Sequence, residues 1–185
     1  MNKSGLRAFS RSLAIVTIAA LFAACADGAT AAPTPQATSV ARSATLQSLQ
    51  TNEAILTLQR VTAKYHDLTI ATNEGFVLLH PCESRGDEGP VGTVYINFER
   101  LLDGVIDPAS PDALIYRPGL NGRLELAGAE FAIPYTMASE RPQFLGASFQ
   151  NEDEFGVYAL HAWIWLDNPN GMFAETNPRV SCGVA

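Results

Sequence analysis

The stretch that decides the fold is Tyr158-Ala-Leu-His161-Ala-Trp163-Ile-Trp165-Leu166, which lies near the carboxyl end of the chain. In a strand, successive side chains point to opposite faces of the sheet, and here both faces are apolar or aromatic. Such a strand is predicted to lie in the middle of a sheet that is covered on both sides. The two faces consist of Tyr158, Leu160, Ala162, Ile164 and Leu166 on one side and Ala159, His161, Trp163 and Trp165 on the other.

The aromatic stripe formed by His161, Trp163 and Trp165 is the first candidate for a binding site. An imidazole beside two indoles is suited to bind a ring, a sugar or a metal ion. The alternative is a second buried layer in which the histidine is hydrogen-bonded. The residue types favour this alternative, because aromatic side chains with a polar atom are commonly buried when that atom has a partner.

Glu130 is the candidate partner of the histidine. It lies on a predicted strand, Arg123–Tyr135, and shares its face with Leu124 and Leu126. A carboxylate on an apolar face needs a partner, for which His161 or an arginine is suitable. Glu130 and His161 therefore form a candidate acid–base or ligand pair, whereas a structural hydrogen bond, or an exposed glutamate where the strand twists, is the alternative interpretation.

The carboxyl-terminal region carries a specific resemblance. His161-Ala-Trp-Ile-Trp165, Asn168-Pro-Asn-Gly171-Met-Phe173 and Asn177-Pro-Arg-Val-Ser-Cys182 resemble the signature of a family of small secreted bacterial proteins and lipoproteins that has no established activity. The resemblance extends over the region after about residue 50. Similar proteins often carry a histidine at the position of Val94 and a tryptophan at the position of Thr176, so this chain departs from the family pattern at both places.

The predicted fold is α+β. Apolar residues recur every three or four positions from Leu49 to Asn73, which predicts one long helix that lies on the sheet. Several short alternating segments follow, among them Gly92–Phe98, whose Tyr95 joins the candidate binding residues. Small residues at Ala127-Gly128-Ala129 indicate a bulge or the close approach of another element. The expected sheet is mostly antiparallel with about five or six strands, and a closed β-barrel with an external helix is the alternative.

The first part of the chain is predicted to direct export. Residues 1–25 combine a basic start with the apolar run Leu13–Ala24, which is too short to span a bilayer as a helix. Leu21-Phe-Ala-Ala-Cys25 resembles a lipobox, in which Cys25 is lipidated and becomes the new amino terminus. Ordinary cleavage after Ala26 or Ala31 is the alternative. The chain is therefore expected in the bacterial envelope, lipid-anchored, or secreted.

The charge of the chain excludes one class of partner. The formal net charge is −7, and removal of Lys3, Arg7 and Arg11 with the export signal leaves nine basic against nineteen acidic residues, a net charge of −10. Nucleic-acid binding needs clustered lysine and arginine, so a nucleic-acid partner is not expected. The same charge opposes binding to anionic lipid, so contact with a membrane is expected only through the lipid anchor.

The remaining cysteines predict one disulfide. Apart from Cys25 the chain has only Cys82 and Cys182, and in an oxidising compartment two such residues are most simply paired. A metal pair or a catalytic thiol is the alternative, but the chain has no C-x-x-C motif and only His80 lies near either cysteine in sequence. Closing a loop of roughly 100 residues stabilises a fold by ~4.7 kcal/mol in the chain-entropy model.

The predicted organisation is an export signal at 1–25, a disordered tether rich in alanine, threonine and proline at 26–47, and one globular domain at 48–185. The chain has no P-loop, no H-E-x-x-H motif and no G-x-S-x-G motif. The expected function is non-enzymatic binding of a small ligand or an envelope protein through the aromatic face, without a cofactor. A metal-binding protein or metal-dependent enzyme that uses His161 and Glu130 is the second hypothesis, and a purely structural envelope protein is the third.

Overall fold

Helix α1, Pro35–Thr62, opens the part of the chain that the structure, a computed structural model, describes. The described residues are 35–84, 89–119 and 122–183. The predicted export signal with Cys25, and tether residues 26–34, lie outside them. Within the described ranges no helix combines the length and the apolar character needed to cross a membrane.

The predicted single helix is interrupted, and it begins earlier than expected. Helix α1 is followed by a short 3-10 helix, Ala63–His66, and then by α2, Leu68–Asn73. The interruption lies at Asp67, which has an extended backbone and accepts a hydrogen bond from the amide of Thr69, so it caps a new helix. Residues 35–47, predicted to be part of a disordered tether, are helical in the structure.

The described strands are β1 Val77–Ser84, β2 Pro90–Ile96, β3 Ala113–Pro118, β4 Leu124–Pro134, β5 Gln143–Phe144, β6 Ala147–Ser148, β7 Gln150–Glu152 and β8 Val157–Ala162. Six of them form one antiparallel sheet in the order β1-β2-β3-β4-β8-β7. Strands β5 and β6 form a separate hairpin, and the short helix α3, Phe98–Leu101, follows β2. The α+β class and the mostly antiparallel sheet are therefore confirmed.

Strand β8 is central, as predicted, but it ends at Ala162 rather than at Leu166. Beyond that point the backbone leaves the regular ladder. The amide of Trp163 donates to the carbonyl of Met172 in the tail, and the amides of Trp165 and Leu166 both donate to the carbonyl of Ala127 on β4. The alternation of faces therefore does not continue through Trp165.

The sheet is covered on both faces. On the helix face, Leu160 and Ala162 of β8 cluster with Leu58 of α1. On the opposite face, here called the tail face, Ala159 and Trp163 cluster with Val180 and partly buried Cys182 of the carboxyl-terminal tail, residues 172–183. The expectation of a doubly covered central strand is thus met, because the helix and the tail supply the two covers.

The sheet curls but does not close. Strands β1 and β7 are its two edges and do not pair with each other, so the closed-barrel alternative is wrong. The curl nevertheless brings the two edges near each other. The ring of His80 on β1 stacks on that of Phe155 in the turn between β7 and β8, with centroids 6.2 Å apart.

The predicted disulfide is confirmed. Cys82 on β1 bonds to Cys182 in the tail, with an S–S distance of 2.04 Å and a sequence separation of 100. The bond joins the edge strand β1 to the segment that covers the tail face, and both sulfur-bearing residues pack against the apolar cluster that contains Trp163. It therefore fixes the tail over that cluster.

Candidate functional site

The structure brings Glu130 and His161 together. The two residues lie directly opposite each other on the neighbouring strands β4 and β8. His161 Nε2 is 3.5 Å from Glu130 Oε2, and their side chains are 5% and 10% exposed. The suggested contact with His161 is therefore present, and it lies in the interior. The predicted face of Glu130 is wrong, because Leu124 and Leu126 pack on the helix face and the β3–β4 register shift turns Glu130 to the opposite face.

The second ring nitrogen of His161 determines where the protons lie. His161 Nδ1 is 2.6 Å from the carbonyl oxygen of Glu175 in the tail. A carbonyl only accepts, so Nδ1 carries a hydrogen, and Nε2 faces the Glu130 carboxyl group. The favourable states are an imidazolium beside a carboxylate, or a neutral ring beside a protonated carboxyl group.

Electrostatics favours the charged histidine. Burial alone lowers the pKa of His161, but the hydrogen bond and the negative charge of Glu130, with a smaller contribution from the Glu175 carbonyl, outweigh it. The result is a pKa above the ordinary value for histidine. The pair is thus a buried, hydrogen-bonded ion pair whose partners are already satisfied.

Trp163 is sealed beside this pair. Its ring stands nearly perpendicular to that of His161, with centroids 6.1 Å apart, and its Nε1 donates to the carbonyl of Ala174 at 2.6 Å. Trp163 is only 3% exposed. The space beside His161, bounded partly by Phe173 and Glu175, has about 0 Å³ of room for a molecule the size of water. Ligands from solvent therefore do not reach this part of the tail face.

Two residues of the predicted set lie elsewhere. Trp165 is on the helix face, where its Nε1 donates to Thr62 Oγ1 at 3.0 Å and its ring contacts His66. Tyr95 is half-buried on the same face and packs edge-to-face against Tyr116. The predicted stripe of His161, Trp163 and Trp165 is therefore wrong as a single surface, because the strand ends before its third member.

For the predicted metal site, Glu130 and His161 supply two side-chain ligands at most. Among residues 35–84, 89–119 and 122–183, no group of three or more histidine, cysteine, aspartate or glutamate side chains is arranged to hold a metal ion. His161 offers only Nε2, because Nδ1 is engaged by the tail. Structural zinc sites take four protein ligands and catalytic zinc sites take three, so the Glu130–His161 pair does not match either arrangement.

Asp112 is a buried acid that the sequence did not single out. It precedes β3, is 1% exposed, and accepts a hydrogen bond from the amide of Ala132 through Oδ2. Its Oδ1 is buried and has no hydrogen-bond partner within the described residues. Burial, with a further contribution from the negative charge of Glu130, raises the pKa of Asp112 to about 7. The one sequence feature that could have indicated its burial is its position between Pro111 and the apolar strand β3.

An open cleft lies where the two edges of the sheet approach each other. This edge cleft has a volume of about 480 Å³. The stacked rings of His80 and Phe155, with planes 15° apart, form one part of its wall. The cleft is lined by Leu79, His80, Asn151, Glu152, Asp153, Glu154 and Phe155. It therefore combines aromatic faces with three carboxyl groups. Sequence patterns did not indicate this cleft, because His80 and Phe155 are far apart along the chain.

Comparisons with known proteins return no match: no family model, no curated protein and no solved structure is similar to this chain. The resemblance in the carboxyl-terminal motifs therefore stays a prediction. What bears on function is the arrangement of the side chains themselves.

Proposed function

We propose that the protein is a non-enzymatic module of the cell envelope that binds a small, positively charged ligand in the edge cleft. The observation that carries this proposal is the contrast between two places. Glu130 and His161, which have the chemistry of a catalytic pair, are sealed under the tail. The edge cleft is open, and aromatic rings and carboxyl groups line it.

The chemistry of the edge cleft favours a cation that carries a ring or a methylated head. Aromatic faces attract cations through their negative π-systems, and parallel rings also stack on a flat ligand. Asp153 and Glu154 are exposed and add negative charge to the same cleft. Glu152 is buried at the inner wall of the cleft, between it and the space beside His161. The expected net charge of the exported chain has the same sign, so it attracts a cationic ligand from a distance.

Several side chains of the cleft are held in place before any ligand arrives. Asp153 accepts a hydrogen bond from the hydroxyl group of Tyr135 at 2.7 Å. Asn151 accepts one from Arg141 at 2.7 Å. A wall whose rotamers are already fixed loses little conformational entropy on binding, which favours a useful affinity for a small ligand.

The proposal also places the protein in the cell envelope. A disulfide between Cys82 and Cys182 is typical of an oxidising, extracytoplasmic compartment. The predicted lipidation of Cys25 would place the domain at a membrane surface. We propose a partner among small solutes of the envelope, with an envelope protein as the alternative occupant of the cleft.

The proposal is tested with benzyltrimethylammonium as the probe, titrated into the full chain at low salt by calorimetry or NMR. We expect it to bind more tightly than benzyl alcohol, which has the ring without the charge. Phe155→Ala should weaken binding about two- to fivefold, the size of an exposed cation–π contact.

The matched control is Phe98→Ala, because Phe98 and Phe155 are similarly exposed, at 48% and 40%, and Phe98 lies on α3 outside the cleft. Equal affinity for the charged and neutral probes, or equal losses in the two variants, would contradict the proposal. Absence of any binding would favour a purely structural envelope protein.

A further inference from the structure

We infer that a second cleft, formed by α1, the 3-10 helix and the segment around α3, binds a small organic anion. This inference goes beyond the proposed function, which concerns a cation in the edge cleft. The second cleft, here called the basic cleft, has a volume of about 370 Å³. It is lined by Arg60, Val61, Lys64, Tyr65, Arg100, Ala109 and Pro111.

The basic cleft concentrates positive charge. Arg60, Lys64 and Arg100 line one cleft in a chain whose formal net charge is −7. One acid compensates one of them, because Lys64 Nζ lies 2.6 Å from Glu74 Oε1. Within the described residues, neither arginine forms an ion pair with a carboxylate. Two guanidinium groups therefore line the cleft without a direct carboxylate contact, while the nearby carboxyl groups of Glu74 and Asp112 offset part of the charge of Arg100.

Arg100 is held in a fixed orientation in the basic cleft. Its NH1 donates to the carbonyl of Pro111 at 3.0 Å, and its NH2 donates to the hydroxyl of Tyr65 at 3.3 Å. The guanidinium also lies over the ring of Phe76, 4.8 Å from its centroid. All three partners are neutral, so they fix the orientation of the guanidinium, and its charge is offset only in part by Glu74 and Asp112 nearby. Arginine fixed in this way is well suited to carboxylate and phosphate groups.

The rest of the wall of the basic cleft is largely apolar. Val61, Ala109 and Pro111 are apolar, and the hydroxyl of Tyr65 is already used, since it donates to Glu74 Oε2 at 2.7 Å. A bare inorganic ion would leave these apolar groups without a partner. A ligand with an anionic head and a small apolar body matches both parts of the cleft, and the volume lies in the lower range of small-molecule sites.

The net charge of the chain limits the occupant to a small solute. An anionic lipid surface would meet the repulsion of the whole acidic domain, whereas a small anion meets mainly the local field of the two arginines. The shared chemistry of the possible ligands is therefore an anionic group on a compact apolar body.

The experiment uses phenyl phosphate, inorganic phosphate and benzyl alcohol as probes, titrated into the full chain at constant ionic strength by calorimetry. We expect phenyl phosphate to bind at one site per chain and more tightly than either of the others. Arg60→Gln should weaken its binding about two- to fivefold, and Arg100→Gln about tenfold or more, because Arg100 is the preorganised donor.

Two controls separate a built site from general attraction. Arg123→Gln removes the same charge from an exposed position that does not line the basic cleft, and it should leave binding of phenyl phosphate unchanged. Phe155→Ala should also leave it unchanged, since Phe155 belongs to the edge cleft. Circular dichroism of Arg100→Gln checks that this variant is folded, and Arg60→Gln tests the site at an exposed residue without packing in the core.

Three outcomes would overturn the inference. The first is equal binding of phosphate and phenyl phosphate, with equal losses in Arg60→Gln and Arg123→Gln, which indicates unspecific attraction. The second is no binding of phenyl phosphate to the full chain. The third is binding to phosphatidylglycerol vesicles without binding of phenyl phosphate, which indicates recognition of a surface rather than a solute.

Discussion

At the scale of single residues, Asp112 shows how burial changes the chemistry of an acid. Its carboxyl group lies between β4 and the start of β3, one oxygen accepts from Ala132, and the other has no partner within the described residues. Removing a carboxylate from water without a compensating cation is costly, so the group is held as the neutral acid over a wider range of pH. The raised pKa of Asp112 expresses this cost.

The first prediction concerns the pH dependence of stability. The pKa of Asp112 is raised from 3.8 to about 7 in the folded chain, so its favourable contribution is complete below pH 3.8 and is lost as the pH rises to about 7. Asp112→Asn keeps an acceptor for the Ala132 amide and removes the ionisation. We expect this variant to be more stable than the parent chain at pH 8, by a margin on the order of 2 kcal/mol, and to show a flatter pH profile.

Urea unfolding at pH 4, 6 and 8 measures this effect. Glu140→Gln is the matched control, since Glu140 is an exposed acid whose charge does not contribute to the raised pKa of Asp112, and its substitution should leave the profile unchanged. If the free energy of unfolding falls by the same amount between pH 4 and pH 8 in the parent chain and in Asp112→Asn, Asp112 is not the titrating group.

The second prediction concerns the Glu130–His161 pair. Glu130→Gln keeps the shape of the side chain but removes the negative charge that raises the pKa of His161. We expect that pKa to fall in the variant, because burial then acts without opposition. NMR titration of the His161 ring measures it.

Glu125→Gln is the control for this pair, because it removes a carboxylate that is bound to Arg117 on the surface. The pKa of His161 should not change in that variant. In the parent chain the raised pKa means that the stabilising contribution of His161 is complete below pH 6.5 and is lost as the pH rises through the folded-state pKa. An unaltered His161 titration in Glu130→Gln would contradict the assignment.

At the scale of the elements, the contact between β4 and the end of β8 depends on Gly128. A Cβ atom on Gly128 would lie 2.6 Å from the carbonyl oxygen of Ala162, and backbone atoms cannot move aside as a flexible side chain does. The pairing of β3 and β4 also shifts register between Ile115 and Tyr116, next to the position opposite Gly128. The bulge and the close approach that the small residues predicted are both present.

The third prediction follows from this contact. Gly128→Ala should destabilise the chain by about 1–3 kcal/mol, the usual cost of forcing atoms into a packed interior. Gly183→Ala is the control, because its nearest neighbour would be Ser181 Oγ at an ordinary 3.6 Å. Urea unfolding of both variants measures the difference, and equal stability of the two would show that β4 tolerates a side chain at residue 128.

The elements also show what the sequence could and could not predict. A carboxylate on an apolar strand was enough to suggest a partner such as His161, and the two residues are paired. Parity nevertheless assigned Glu130 to the face of Leu124 and Leu126, which is wrong, because the register shift between Ile115 and Tyr116 reverses the faces along β4. Parity failed at Trp165, because the amides beyond Ala162 bond to the tail and to Ala127 instead of continuing the ladder. The helix interruption was missed because Asp67 acts as a cap inside a pattern that is otherwise periodic.

At the scale of the whole molecule, the disulfide and the tail decide which residues reach solvent. Apart from Cys25 of the predicted export signal, two cysteines allow only one pairing, so the Cys82–Cys182 bond was predictable. The two open clefts were not, since each gathers residues that are distant in sequence and meet only when the sheet curls or the helices turn. His80 meets Phe155 in the edge cleft, and Arg60 meets Arg100 in the basic cleft.

The fourth prediction concerns this bond. Replacement of both Cys82 and Cys182 by serine should lower the free energy of unfolding by about 2–5 kcal/mol, the usual effect of losing a native disulfide in a small secreted domain. It should also make Trp163 more accessible to acrylamide quenching, because the tail is then held only by its hydrogen bonds and packing. Unchanged quenching together with unchanged stability would show that the tail stays in place without the bond.

The central claim is that ligands meet this molecule at the edge cleft and not at the sealed tail face. A residue-resolved NMR titration of the full chain with benzyltrimethylammonium tests it most directly. The account predicts saturable shifts of the ring signals of His80 and Phe155, with the indole signal of Trp163 unchanged. Saturable shifts at Trp163 and His161, with His80 and Phe155 unaffected, would contradict it.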